Sequence, residues 1–163
     1  MKKYLLLPLI ASSLLLAACG QKEQAAAPAT PAQSASAVAA FELTANDTMK
    51  FNLTRLEVTA GQEVKVTLTN TGSMPKAAMA HNWVLLKKGV DGKAFVDAAV
   101  SAAATEYIAP GQADQILAHT KLLGAKQSDE ITFKAPTEPG EYPFVCTFPA
   151  HYLSGMHGVL VVK

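Results

Sequence analysis

Three residues with side chains that bind soft metal ions lie close together near the C-terminus. They are Cys146, His151 and Met156, in the spacing Cys-x4-His-x4-Met. A thiolate, an imidazole and a thioether together favour soft or borderline metals, above all copper. His81, far upstream, supplies a second imidazole. We therefore predict one copper ion per chain, with the two histidines and the cysteine as a trigonal set and the methionine as a weak axial ligand.

Each of these residues alone also has an ordinary structural explanation. A single buried cysteine usually behaves as a small hydrophobe. In a chain that binds no metal, the methionine would lie in the core, and each histidine would lie at the surface or form hydrogen bonds in the core. The combination and its spacing favour the metal site instead. A zinc site is less favoured, because a thioether is a poor zinc ligand and zinc has no redox role.

The two remaining histidines, His119 and His157, have no comparable pattern around them. We predict that neither is a ligand, since His157 follows Met156 and would point to the opposite side of a strand. A copper enzyme with a second, open metal site would need more histidines than these two. The sequence therefore favours an electron-transfer protein rather than an enzyme, with a copper storage or delivery protein as the alternative.

Most of the region that must hold these ligands has the pattern of β-strands. Residues 63–70 alternate apolar and polar side chains, which is typical of a strand with one buried face. Similar short patterns predict strands at 53–58, 82–87, 131–134, 141–146 and 158–163. The alanine-rich segment 92–107 favours a short helix within it. We predict an all-β fold, a Greek-key β-sandwich or barrel with one short helical insertion.

The N-terminus has the features of an export signal. A basic start precedes the apolar residues 5–16, a run that is too short to span a membrane. The sequence Leu-Ala-Ala-Cys that ends at Cys19 resembles the lipobox of bacterial lipoproteins. We predict a signal peptide at 1–18, then a flexible segment at 19–40 rich in alanine, proline and serine that begins with an acylated Cys19, and a folded domain at 41–163.

The cysteine count and the charge restrict the partners. Cys19 and Cys146 are the two cysteines of the sequence, so acylation of Cys19 leaves no intrachain disulfide. The formal net charge of +1 argues against nucleic acid as a partner. We expect a monomeric domain, tethered to membrane lipid in the bacterial cell envelope. Gly20 after Cys19 favours the outer membrane, because the aspartate that retains some lipoproteins in the inner membrane is absent.

Three segments resemble azurins, the blue copper proteins of the cupredoxin family. They are Ala-His-Asn-Trp-Val-Leu at 80–85, Ala-His-Thr-Lys-Leu-Leu-Gly at 118–124 and Cys-Thr-Phe-Pro-Ala-His at 146–151. Residues 46–52 also resemble the first azurin strand. The resemblance implies that His81, Cys146 and His151 are equatorial copper ligands and Met156 the axial one. It also implies that Asn82 joins the two ligand loops, that Trp83 lies in the core, and that the insertion is a helical flap.

The same resemblance implies how electrons reach the metal and where the chain differs. His151 would be the electron port, surrounded by an apolar patch of Met74, Ala78, Met79, Phe148 and Ala150. Expected partners are redox proteins such as c-type cytochromes, or periplasmic or membrane-bound reductases and oxidases. Azurins usually have glycine where this chain has Ala80, and their loop from the second histidine to the methionine is one residue shorter. The longer loop is similar to that of auracyanins.

Overall fold

The computed structural model describes residues 37–163, and its strands form two sheets. Eight strands lie within these residues: β1 (Ala39–Ala45), β2 (Arg55–Val58), β3 (Glu63–Asn70), β4 (Val84–Leu86), β5 (Ile116–His119), β6 (Ser128–Lys134), β7 (Gly140–Val145) and β8 (His157–Val162). One sheet has the order β1-β3-β6, and the other has the order β2-β8-β7-β4-β5. The predicted β-sandwich is thereby confirmed.

Both sheets are mixed, and their register brings three chain segments to one end. β1 runs parallel to β3 and β2 parallel to β8, whereas the other pairs are antiparallel. In the larger sheet Val84 pairs with Val145, and Val145 pairs with His157. The start of β4, the end of β7 and the start of β8 therefore lie side by side. His81 lies just before β4, Cys146 follows β7 and Met156 precedes β8, so these three predicted ligands lie at the same end of the larger sheet.

The core lies between the two sheets. Alternation along β3 buries Val64, Val66 and Leu68, as the sequence predicted. Trp83 is fully buried, and its ring lies 5.5 Å from that of Phe144. Each buried side chain of this size contributes roughly 1.5–3 kcal/mol through the removal of apolar surface from water. This core gives the ligand-bearing strand ends a rigid support.

The insertion between β4 and β5 begins with the helix α2 (Gly92–Ala99). Here α1 denotes the single turn Lys76–Met79 that precedes His81. The Asp91 side chain caps α2 by accepting hydrogen bonds from the backbone N–H groups of Lys93 and Ala94. Phe95 and Val96 pack on the outer face of the larger sheet. The insertion is thus a helical flap outside the sandwich.

The short helix predicted within 92–107 is confirmed, and it occupies the first half of that segment. The α-helix ends at Ala99, and 3-10 turns follow at Ala103–Thr105 and Pro110–Gln115. Residues 103–106 are exposed and present no apolar face to the sheet. Alanine propensity alone does not hold so short a helix in water, because most helical stability comes from packing.

The segment that resembled the first azurin strand is also different. The carbonyl of Asn46 accepts a hydrogen bond from the N–H of Met49, and Met49 has a positive φ of 56°. Residues 46–49 therefore turn, and Phe51 makes only an isolated bridge to Ala45. The first strand is β1, which starts two residues before the predicted boundary at 41.

None of the helices in the described part of the chain is long and apolar enough to cross a membrane.

Candidate metal centre

Cys146, His151 and Met156 are connected through their backbones. Cys146 directly follows β7 and donates its N–H to the carbonyl of Met156, at 3.1 Å. Met156 in turn donates its N–H to the carbonyl of His151, at 3.0 Å. Gly155 has a φ of 89°, which lets the chain turn back toward β8. The C-terminal loop is thus closed by its own hydrogen bonds before any side chain binds a metal.

His81 is held by a different neighbour. It lies just before β4, and it exchanges two backbone hydrogen bonds with Leu123, at 3.1 and 2.8 Å. The side chains of His81 and His151 are almost fully buried, at 0% and 2% exposure. Their ring centroids are 4.8 Å apart. The fold therefore brings a residue 65 positions upstream of Cys146 into its immediate surroundings.

Three of the four predicted ligands converge on one point. The ligand atoms of His81, Cys146 and His151 all lie within 4.8 Å of one another. Cys146 Sγ is 3.5 Å from His151 Nδ1, a separation that suits two atoms bound to one ion through bonds of about 2.0–2.3 Å. Both ring nitrogens of His81 are buried and make no hydrogen bond of ordinary geometry, although the backbone of Asn46 is close enough to raise the pKa of the ring. Since buried polar atoms are normally paired, this orphaned imidazole fits a metal ligand.

Met156, the predicted axial ligand, lies in the same region. Its side chain is fully buried in the core cluster that contains Cys146 and Phe148. Its direct bond to the metal stays a prediction.

The other two histidines are outside this group. His119 is exposed, and its Nδ1 lies 3.0 Å from the backbone oxygen of Thr120. His157 is exposed and stacks on Tyr152, with ring centroids 4.5 Å apart. Neither belongs to the histidine and cysteine cluster found among residues 37–163.

Asn82 joins the two ligand-bearing segments, as the resemblance implied. Its Nδ2 donates to Thr147 Oγ1 at 2.8 Å, and its Oδ1 accepts from the N–H of Thr147 at 2.9 Å. Both residues are about 1% exposed. Asn82 follows His81 and Thr147 follows Cys146, so the pair fixes the two ligands relative to each other.

Burial keeps all three converging side chains uncharged when no metal is bound. It raises the pKa of the Cys146 thiol to about 11, although the backbone N–H groups of Asn82 and Phe148 act in the opposite direction. Burial also lowers the pKa of His151 to about 4, with a further contribution from the nearby His81. The pKa of His81 is lowered by burial as well, and the carboxylate of Asp47 opposes this. A metal that binds here must displace the thiol proton and finds both imidazoles deprotonated.

Sequence reasoning missed the support provided by Asp47. Its carboxylate accepts hydrogen bonds from the backbone N–H and the hydroxyl of Ser73, both at 2.9 Å, and from the N–H of Met74 at 3.4 Å. These bonds lower the pKa of Asp47, the one from the Ser73 amide most. They hold the segment that leads to α1 and His81. No local pattern could have revealed a contact between residues 26 positions apart.

A mixed β-sandwich that brings two buried imidazoles and a buried thiol together at one end is a copper protein with a single site of the blue, type 1 class. The chain belongs to the plastocyanin/azurin family of copper-binding proteins, whose family model matches residues 37–163.

Individual relatives agree with this assignment. The chain is 40% identical over 175 aligned positions to the outer membrane protein H.8 of Neisseria meningitidis serogroup B, and the alignment covers 93% of each chain. It is 35% identical to an azurin of Pseudomonas chlororaphis, over 75% of this chain and 96% of that one. Among solved structures, a reduced auracyanin from Roseiflexus castenholzii superposes with a TM-score of 0.68 at 34% identity, over 76% of this chain and 96% of that one.

Proposed function

We propose that this protein is a one-electron carrier that uses one type 1 copper ion and is anchored to the bacterial cell envelope by lipid on Cys19. The observation that carries the proposal is the convergence of His81, Cys146 and His151 within 4.8 Å in a buried site. Copper supplies the redox chemistry, because it cycles between two states that differ by one electron. The chain supplies ligands whose positions are already fixed.

The fixed positions matter because electron transfer is fast when few atoms move. Asn82 and Thr147 join the two ligand segments through paired, buried hydrogen bonds. The backbone hydrogen bonds from Cys146 to Met156 and from Met156 to His151 close the C-terminal loop that carries these three residues. A dry site with a weak axial thioether also favours the reduced metal and raises its reduction potential.

The electron port that we propose is His151. Its ring is 4.8 Å from that of Phe148, and the proposed patch around it includes Met74, Ala78 and Ala150, all of which are exposed. Met74 alone exposes 40% of its surface. Small apolar surfaces of this kind suit weak redox complexes, such as those with c-type cytochromes or membrane-bound reductases and oxidases.

This port is tested by the Ala150→Glu variant, which puts a charge on the surface. The variant should slow electron transfer to a physiological partner, because the carboxylate must be desolvated in the complex. Electron transfer at the wild-type rate to every partner assayed would show that docking occurs elsewhere.

The anchor rests on the sequence and on one relative. Cys19 lies outside the described residues, so its acylation is a proposal. It is supported by the lipobox-like sequence and by the relative named outer membrane protein H.8, whose alignment covers 93% of this chain. Several acyl chains on one residue would hold the protein firmly, since each buried CH2 contributes roughly 0.8 kcal/mol. The favoured location is the outer membrane.

Two substitutions separate the metal site from the anchor. The copper-loaded protein should be intensely blue and should bleach reversibly on addition of one electron. Cys146→Ser should abolish the colour, whereas Cys19→Ser should keep it and release the protein from the membrane fraction. A colourless wild-type protein after copper addition would refute the proposed site.

The same preparation tests the alternative of a copper storage or delivery protein. Such a protein should lose copper to a chelator while it is being reduced and reoxidised once. The buried ligands predict instead that the copper content stays constant through repeated reduction and oxidation.

A further inference from the structure

Two consecutive residues near the end of the insertion adopt the left-handed backbone conformation. They are Glu106, with a φ of 54°, and Tyr107, with a φ of 60°. Neither is glycine, so the Cβ of each residue is sterically strained there. Such strain persists only where surrounding contacts determine the conformation, and it often marks a functional constraint. The contacts of these two residues lead to two different copper-ligand segments.

Glu106 reaches the segment of His81 from both sides. Its Oε1 lies 3.1 Å from Lys76 Nζ, and its Oε2 accepts a hydrogen bond from the N–H of Leu122 at 3.2 Å. Lys76 is the first residue of α1, which ends two residues before His81. Leu122 precedes Leu123, which exchanges both backbone hydrogen bonds with His81. The carboxylate therefore joins the two chain segments that hold this ligand.

Tyr107 reaches the segment of His151 through a chain of aromatic rings. Its ring packs edge-on against Phe148, with centroids 5.1 Å apart and an interplanar angle of 67°. The Phe148 ring lies 4.8 Å from the His151 ring. The backbone of Tyr107 is itself fixed, because its N–H donates to the carbonyl of Ala102 at 2.9 Å.

Because Glu106 and Tyr107 are left-handed, their adjacent side chains point to different ligand segments: Glu106 contacts the segment of His81, and Tyr107 contacts the segment of His151. Regular helical residues at 106 and 107 would continue the 3-10 turn of Ala103–Thr105. The observed conformation ends the helical path and places a carboxylate at Leu122 and an aromatic ring at Phe148. The lowered pKa of Glu106, caused first by the hydrogen bond with Lys76 and then by the Leu122 amide, keeps the carboxylate ionised at neutral pH.

We propose that Glu106 and Tyr107 form a positioning clamp that holds the His81 and His151 segments at the spacing that copper requires. The clamp rests on the proposed function, because it acts on the ligands of that copper site. Neither residue belongs to the cluster of His81, Cys146 and His151. The clamp fixes the site from the flap outside the sandwich, in addition to the link between Asn82 and Thr147.

The copper-free full-length protein tests the Glu106 arm through amide hydrogen exchange. Glu106→Ala should speed exchange of the His81 and Leu123 amides about tenfold, the effect of losing one hydrogen bond to a charged group. Amides between β7 and β8 should keep their rates. Glu106→Gln should stay within about twofold of wild type at these amides, because its side-chain oxygen can still accept from Leu122.

A matched control removes a comparable ion pair elsewhere. Lys88 pairs with Glu138 at 2.6 Å, and its Nζ also donates to the backbone oxygen of Pro139, just before β7 begins at Gly140. Lys88→Gln should leave the exchange of His81 and Leu123 unchanged. Unchanged exchange in Glu106→Ala, or a uniform increase across all strands, would overturn the clamp, since a merely structural residue lowers protection everywhere.

The Tyr107 arm is tested on the copper-loaded protein. Tyr107→Leu should shift the thiolate-to-copper absorption band and speed copper release to a chelator about tenfold, which corresponds to about 1.4 kcal/mol. Tyr107→Phe keeps the ring against Phe148 and should match wild type. A Leu variant with the wild-type band and release rate would overturn this arm. A wild-type protein that never turns blue would instead refute the proposed function, so the two failures are distinguishable.

Discussion

The link between Asn82 and Thr147 allows a quantitative test of how the ligand segments are held. Truncation by Asn82→Ala removes both side-chain hydrogen bonds, at 2.8 and 2.9 Å. The N–H of Thr147 then stays buried without an acceptor, which costs about 1–3 kcal/mol. The lost bond to the Thr147 hydroxyl adds roughly 0.5–1.5 kcal/mol. We expect the free energy of unfolding of the copper-free protein to fall by about 3 kcal/mol.

Thr147→Val is the matched variant, because it removes only one of the two bonds. The backbone N–H of Thr147 keeps its acceptor, and the hydroxyl partner of Asn82 Nδ2 is lost. This variant should cost about 1–2 kcal/mol. In the double variant the two losses should not add, and the cycle should return a coupling energy of about 1 kcal/mol.

Urea denaturation of the copper-free protein gives both free energies, and copper release to a chelator reports the site. Asn82→Ala should release copper faster than Thr147→Val does, because it frees both ligand segments. An Asn82→Ala loss below about 1 kcal/mol would refute the reasoning, since it falls under the range for a single buried, unpaired amide. Equal losses in the two single variants would also contradict it.

Three further predictions concern the pH response and the backbone. Burial holds the pKa of His151 near 4 instead of 6.5, so on acidification the unfolded chain takes up its proton first, and stability must fall as the pH drops from 6.5 to 4. His151 should account for about 3 kcal/mol of this loss at pH 4 in urea titrations of the copper-free protein, so His151→Gln should lose about that much less than wild type, and equal pH profiles of the two proteins would contradict it. Ala150 has a φ of 69°, so Ala150→Gly should raise the free energy of unfolding by about 0.5–1 kcal/mol, and a lower melting temperature would show that its backbone is unstrained. A Cβ at Gly158 would lie 2.3 Å from both the Phe144 ring and a backbone oxygen, so Gly158→Ala should cost about 2–3 kcal/mol by thermal denaturation. Gly111→Ala, where no atom lies within 4 Å, is the control and should cost nothing.

Alternation of buried and exposed side chains made some strands predictable almost residue by residue. β3 has the predicted bounds, and β8 begins and ends one residue earlier than predicted. β3 has one face in the core and alternates, whereas β8 was predicted from a continuous apolar run, of which Leu160, Val161 and Val162 are buried in succession. β5 was not predicted individually, because its side chains are only partly buried at the edge of the sheet. The end of α2 depends on packing against the larger sheet, which the local pattern does not contain.

The convergence of His81, Cys146 and His151 has a related explanation. Cys146 and His151 share one loop with Met156, so the spacing of these three residues is a local pattern in the sequence. The place of His81 beside them follows from the register of β4 on β7, which fixes Val84 opposite Val145. The supports formed by Asp47 and Glu106 connect residues between 16 and 30 positions apart through single hydrogen bonds or ion pairs. Such contacts leave no periodic pattern in the sequence.

The residues that destabilise the copper-free fold differ from the residues that hold the ligands in position. The orphaned imidazole of His81 and the buried thiol of Cys146 destabilise the copper-free fold, since both are removed from water without strong partners. The hydrogen bonds that position them belong to Asn82 and to the backbone of Leu123, neither of which is a predicted ligand. These bonds would hold the ligands whether or not a metal is bound, so in the proposed electron carrier they would stay in place when the metal gains or loses one electron. That arrangement would keep the structural change on electron transfer small.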